Sequence, residues 1–215
     1  MSYVVAYVDE DKKERDKFLA DYHLEIGKDM SQEKMEIELI DPEIAPDVEH
    51  MISYLLEMKI DAVITDYKLT EYAVVQYSGK NLVDCMLRNR TEFPCFIRTN
   101  YEVEALQEEQ LDVNLVYKKP GPKLERVIIQ IENYRSKIIE RQNQFHHLME
   151  IDPDERTDSQ IDKILELDNF LEKSLGGEYA TSMNLKRDIF VGKRMKLIEE
   201  SEQLIKEIRN KLDGA

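Results

Sequence analysis

The sequence predicts an α/β protein, a doubly wound five-stranded parallel sheet over residues 1–121, followed by a helical extension over residues 122–215. Three observations carry this. Short apolar runs rich in β-branched residues recur along the first part, and Ala62-Val63-Ile64-Thr65 reads as a strand buried on both faces. Amphipathic helical stretches separate these runs, as parallel neighbours require, because they need crossover connections. From Pro122 onward the apolar spacing changes to alternating steps of three and four, the signature of long helices rather than strands.

The elements follow in order. Tyr3-Val4-Val5-Ala6-Tyr7-Val8 is the first strand and runs straight into Asp9-Glu10-Asp11. Residues Asp11 to Asp29 place Phe18, Leu19, Tyr22 and Ile26 on one helical face. Met35 to Ile40 alternates, as an edge strand does. Asp47 to Lys59 is a helix with Asp47 as N-cap and Val48, Met51, Ile52, Leu55 and Leu56 inward. The central strand then closes on Asp66, at the carboxyl edge where open α/β sheets bind ligands. Gly79 to Arg90 and Glu102 to Gln110 read as two more helices. Between and after them lie a fourth strand, Phe93 to Asn100, and a fifth, Val113 to Lys119, which stops at Pro120.

In the extension, Leu124, Val127, Ile131, Tyr134, Ile138, Arg141, Phe145 and Leu148 form a heptad seam in which only Arg141 is polar. At about 1.5 Å per residue, a helix over residues 122–150 is about 40 Å long, so its far half has to pack beyond the sheet, in a coiled coil or bundle. Ile151-Asp152-Pro153-Asp154 breaks it. A second helix, over about residues 159–175, carries Ile161, Ile164, Leu165, Asp168 and Leu171 near one face, and a third is expected over about residues 186–212. The three make a small α-helical module.

The chain has 215 residues and a net charge of −15. Up to Pro120 it holds 14 basic and 26 acidic residues, net −12, and beyond it 16 and 19, net −3. Neither part has the basic excess that a phosphate backbone demands, which argues against nucleic acid as the default partner. The mixed cluster Lys186, Arg187, Lys193, Arg194 and Lys196 is followed at once by Glu199, Glu200 and Glu202, as on a solvated face. Cys85 and Cys95 suggest no disulfide framework, no run approaches a membrane span, and the apolar start lacks a basic leader. The expected location is the cytoplasm.

An acid pair after the first strand, Asp66 after the third, Thr99 after the fourth and Lys119-Pro120 after the fifth form an ordered constellation. It resembles the receiver domain of two-component response regulators, over about residues 1–121. The resemblance implies a flavodoxin-like fold with Asp66 as phosphoacceptor. It implies Mg²⁺ held by Asp9, Glu10, Asp66 and the backbone carbonyl of Lys68, with Thr99 as the switch hydroxyl and Lys119 contacting the phosphoryl group. These roles suit the residue types. A hard divalent cation takes oxygen ligands and offsets the charge of an anionic donor meeting a carboxylate. Lysine adds a point positive charge, and a hydroxyl that moves toward a new phosphoryl oxygen makes a two-state device. The family's aromatic switch position falls near Val116 or Tyr117. The sequence departs from the pattern at Thr70, where the family has proline, and at Gly79, a glycine delayed by an insertion of about five residues within Glu71 to Ser78.

The resulting expectation is a phosphorelay response regulator whose output is signalling rather than turnover, and so not an enzyme. Its partners would be a cognate histidine kinase and either a second copy, through the C-terminal helices, or a protein effector. Two alternatives stand beside it: a transcription regulator whose C-terminal helices bind DNA, and a phosphotransfer intermediate using His146 or His147 on the long helix.

Overall fold

The computed structural model describes residues 2–29, 36–70, 75–101, 105 and 112–174. The expected helices at 186–212 and, apart from Ala105, at 102–110 lie outside them, as do residues 71–74 of the insertion. The chain packs as two compact units. One comprises residues 1–140 with 173–177, and the described part of the other is 141–172.

The first unit is built on a five-stranded parallel sheet in the order β2-β1-β3-β4-β5. Its strands are β1 (Ser2–Val8), β2 (Glu36–Ile40), β3 (Ala62–Asp66), β4 (Cys95–Thr99) and β5 (Val116–Lys118). The helices α1 (Lys12–Asp29), α2 (Val48–Glu57) and α3 (Gly79–Asn89) cover it, with the first half of α4 (Leu124–Met149). Within the described residues the predicted alternation holds, and β3 and β4 are buried at every position, as central strands covered on both faces are. The expected fifth strand is shorter than the sequence suggested. Val113–Leu115 forms a turn of 3₁₀-helix in which the Leu115 N–H donates to the Asp112 carbonyl at 2.9 Å, and pairing with β4 starts only at Val116.

The sheet carries a core on each face. On one, Ala6, Val8 and Val63 meet Met51, Ile52 and Leu55 of α2 and Leu82, Val83 and Met86 of α3. On the other, Tyr3, Val5, Tyr7, Ile64 and Phe96 meet Phe18 and Tyr22 of α1 and Leu124, Val127 and Ile131 of α4. The first turns of the heptad seam are therefore the inner face of this unit's own last helix. Arg135 fastens that helix to the sheet through Asp61 Oδ1 at 2.7 Å and the Ser2 carbonyl at 3.0 Å, and Tyr3 Oη donates to Glu132 Oε1 at 2.7 Å.

Helix ends are set locally. Asp47 caps α2 as expected, accepting from the His50 N–H at 2.9 Å. At α3, Ser78 Oγ accepts from the Asn81 N–H at 3.3 Å while Asn81 Oδ1 accepts from the Ser78 N–H at 2.9 Å, a reciprocal capping box. Replacing Ser78 by alanine removes one half of that box, and urea denaturation is expected to show a loss of about 1 kcal/mol.

Helix α5 (Asp158–Ser174), which belongs to the second unit as far as Glu172, buries Ile164, Leu165, Leu167 and Phe170. Leu167 and Phe170 take the place of the expected Ile161 and Leu171, which are only half-buried. The polar heptad position has an explanation here, because the Arg141 guanidinium lies 3.6 Å from the centre of the Phe170 ring, a cation–π contact. Arg156 secures the predicted break by donating to the carbonyls of Met149 at 2.9 Å and Ile151 at 3.0 Å. His146 and His147 are both exposed. Among the described residues no helix is long and apolar enough to cross a membrane.

Candidate functional site

Asp66 is the last residue of β3, and Asp9 follows the last residue of β1, its neighbour in the sheet. Parallel pairing brings their carboxyl groups to the same edge. Lys119, just past β5, reaches back between them. Its Nζ lies 2.9 Å from Asp66 Oδ1, 3.4 Å from Asp9 Oδ2 and 3.2 Å from Glu14 Oε2, a carboxylate supplied by the first turn of α1. The Lys119–Pro120 bond is cis, and the Lys119 N–H donates to the Thr99 carbonyl at 3.1 Å. Asp9, Glu14, Asp66 and Lys119, with Glu10, Asp11, Asn100 and Tyr101, line a cavity of about 200 Å³.

One ammonium therefore answers three carboxylates. Burial holds the Asp66 carboxyl above its usual range, Lys119 pulls it down, and the neighbouring Asp9 charge adds to the rise. Burial alone would lower Lys119, but Asp66, Asp9 and Glu14 more than offset it, so its ammonium stands above the ordinary value. The Lys119 direction expresses the negative charge around it, and the Asp66 direction chiefly its burial.

The fixed geometry around Asp66 is local. Its Oδ2 accepts from the Lys68 N–H at 2.8 Å. The Lys68 ammonium lies 3.6 Å from the centre of the Tyr101 ring. Thr99 is fully buried, and its Oγ1 accepts from the Tyr101 N–H at 3.0 Å. On the other side, Gly79 opens α3 directly against the strand: its N–H donates to the Tyr67 carbonyl at 2.9 Å, and a Cβ there would stand 1.9 Å from the Asp66 carbonyl oxygen. The delayed glycine is thus the point where helix and strand meet. Of the insertion, Tyr77 is buried and donates to the Ala45 carbonyl at 3.0 Å.

The structure brings together Asp9, Glu10, Asp66 and Lys119 as the sequence predicts, with Thr99 next to them on β4. Sequence reasoning missed Glu14, Tyr7 and Arg98. A carboxylate in the first turn of a helix is ordinary, and only the chain's return at Lys119 gives it a place in the site. Arg98 carried a usable signal, a charge inside an apolar strand. Among the described residues no three acids or other ligating side chains converge closely enough to hold an ion as they stand. The donor set nonetheless suits a hard cation: oxygen donors from Asp9, Glu10 and Asp66 around a cavity whose charge Lys119 leaves unbalanced.

A parallel sheet in the order 2-1-3-4-5, with acids after β1 and β3, a hydroxyl closing β4 and a lysine after β5, is the receiver-domain fold, a flavodoxin-like architecture. No family model matches the chain, and no curated protein matches it. Among solved structures it is similar to the anti-anti-sigma factor PhyR of Bartonella quintana, at 14% identity and a TM-score of 0.44, over 66% of this chain and 52% of that one. The chain thus spans about half the length of PhyR. It is also similar to RcsB of Salmonella enterica serovar Typhimurium, solved on promoter P1flhDC with the phosphomimetic BeF3-, at 13% identity and a TM-score of 0.41, over 88% and 92% of the two chains. A lysine decarboxylase, LdcF of Francisella novicida, matches at 16% identity and a TM-score of 0.34, over 62% of this chain and 17% of that one.

Proposed function

We propose that this protein is a response regulator in a phosphorelay, in which Asp66 accepts a phosphoryl group and the change is passed to a helical interaction module. The observation that carries the reading is the Asp66 carboxylate, at the end of a central strand and 2.9 Å from Lys119 Nζ, in a cavity lined by further acids. A carboxylate oxygen of Asp66 attacks phosphorus, an acyl phosphate forms, and the donor's bond to phosphorus breaks. The electron pair leaves with the donor, which for a phosphohistidine also takes up a proton. Lys119 moves its charge onto the new phosphoryl oxygens. Mg²⁺ bound by Asp9, Glu10, Asp66 and the Lys68 carbonyl would neutralise the charge developing there.

The proposed donor is a histidine kinase, the proposed location the cytoplasm, and the output binding rather than turnover, so the chain is not proposed as an enzyme. The output partner is a second copy joined through the C-terminal helices, or a protein effector. Excess negative charge in the site makes transfer from an anionic donor dependent on a divalent cation. Radiolabelled acetyl phosphate with Mg²⁺ is therefore expected to label the wild-type chain, and chelation by EDTA to cut the rate by a factor on the order of 100 or more. Labelling that is indifferent to chelation would remove the cation from the reading. No labelling by acetyl phosphate or phosphoramidate under any condition would remove the phosphoryl acceptor itself.

A further inference from the structure

Arg98 lies on β4 immediately before Thr99, is 1% exposed, and has its nearest ion-pair partner, Glu14 Oε2, as far as 4.0 Å away. A buried charge is costly unless its donors are used, so where they go is informative. Arg98 Nε donates to the Pro120 carbonyl at 3.2 Å and Nη1 to Tyr7 Oη at 2.7 Å. The guanidinium carbon lies 5.3 Å from the Tyr7 ring centre and 5.2 Å from that of Phe18, two rings stacked 4.0 Å apart.

Tyr7 is fully buried and has one hydroxyl proton. A guanidinium has no acceptor, so the Tyr7 oxygen receives from Arg98 and its own proton points elsewhere. It goes to Asp9 Oδ2, at 2.5 Å. Chemistry thus fixes the direction of the chain, from Arg98 to Tyr7 to Asp9. The other Asp9 oxygen, Oδ1, accepts from the Asp11 N–H at 2.9 Å, so the carboxylate is held from the interior on one side and from the loop on the other.

We propose that Tyr7 and Arg98 are positioning residues for the acid site. The guanidinium sets the Tyr7 hydroxyl as a donor, and that donor holds the Asp9 carboxylate in the orientation in which it can share a divalent cation with Asp66. The inference rests on the phosphoryl-acceptor reading and deepens it. Through the Pro120 carbonyl the same guanidinium also registers the turn that carries Lys119, so one buried residue ties both sides of the site together. Neither side chain is placed to touch reacting atoms.

The test is calorimetric titration of Mg²⁺ into the full chain and into Tyr7→Phe, Arg98→Lys and Tyr22→Phe. Tyr22 is the control, because it belongs to the same aromatic stack, 4.1 Å from Phe18, but its hydroxyl donates to the Pro122 carbonyl. Loss of an outer-shell partner of a metal ligand costs about 10- to 100-fold in affinity, so Tyr7→Phe is expected to raise the Mg²⁺ Kd by that factor. At saturating Mg²⁺ its labelling rate should return to that of wild type, since Asp66 and Lys119 are intact. Arg98→Lys keeps the charge but replaces the planar fork by a point donor, and is expected to move the Kd in the same direction. It supplies the reading if Tyr7→Phe does not fold. Tyr22→Phe should leave the Kd within about twofold, because it removes no partner of a ligand.

A wild-type Kd in Tyr7→Phe, with wild-type protein still labelled, overturns the positioning role and leaves the acceptor reading standing. An equal loss in Tyr22→Phe assigns the effect to packing and also overturns it. If the wild-type chain neither binds Mg²⁺ nor takes label, both fall together.

Discussion

Asp66→Asn is expected to abolish phosphoryl labelling and to raise the melting temperature at neutral pH. Loss of label follows because the amide is not a nucleophile and no other carboxylate shares its place at the end of β3 against Lys119. The gain in stability follows from linkage. Burial and the neighbouring Asp9 raise the folded-state pKa of Asp66 above its unfolded value. The folded state therefore holds the proton longer. Stability falls as pH rises from the unfolded value, near 4, through the raised folded one. Asparagine does not titrate and escapes it, while Lys119 keeps Asp9 and Glu14 as partners. Thermal melts of both proteins across pH 3 to 8 should converge at the acid end and separate toward neutrality. A variant less stable than wild type at pH 7 would mean that the Lys119–Asp66 pair outweighs the cost of burying Asp66, and retained label would mean that the acceptor is another residue.

What the sequence made legible is what lies close along the chain. Each strand of this sheet ends at its functional edge, so Asp9, Asp66, Thr99 and Lys119 could be placed by finding where apolar runs stop, and parallel pairing does the rest. The first turns of the heptad seam were equally readable as an apolar face. What covers that face was not, because Leu124, Val127 and Ile131 would look the same against a second helix as against the sheet they pack on.

The illegible features depend on distant partners. Arg141 interrupts the apolar seam in sequence but in the structure lies over the Phe170 ring, twenty-nine positions on. Glu14 meets Lys119 only after the whole sheet has formed. Tyr7 and Arg98 sit inside runs that any periodicity assigns to strands, and both are buried as strand residues should be. Periodicity reports that a position faces inward, and is silent on which polar atoms meet there. Only the cost of a buried charge marks such a residue in advance.

Gly79→Ala is expected to damage stability and the site together. An α-carbon can come this close to a strand end only without a side chain, since an added Cβ would stand 1.9 Å from the Asp66 carbonyl oxygen, 2.9 Å from its carbon and 3.0 Å from Thr65 Cγ2. The first of these is backbone, and it cannot rotate away. Either the start of α3 lifts, losing the Gly79 N–H bond to the Tyr67 carbonyl and straining the Ser78 cap, or the end of β3 shifts and carries Asp66 from Lys119. Overpacking of this kind costs about 3 kcal/mol, a fall in melting temperature on the order of 10 °C. The two responses differ in their second readout. If α3 lifts, labelling at Asp66 persists in the folded fraction. If β3 gives way, labelling falls more than the folded fraction does. Thr65 is fully buried and paired with both β1 and β4, and Asp66 is buried and paired with β4, whereas α3 has one face open to solvent, so the helix is the softer partner. The expected outcome is a destabilised protein that still accepts label when folded. Unchanged stability would show that helix and strand do not meet at Gly79 as described.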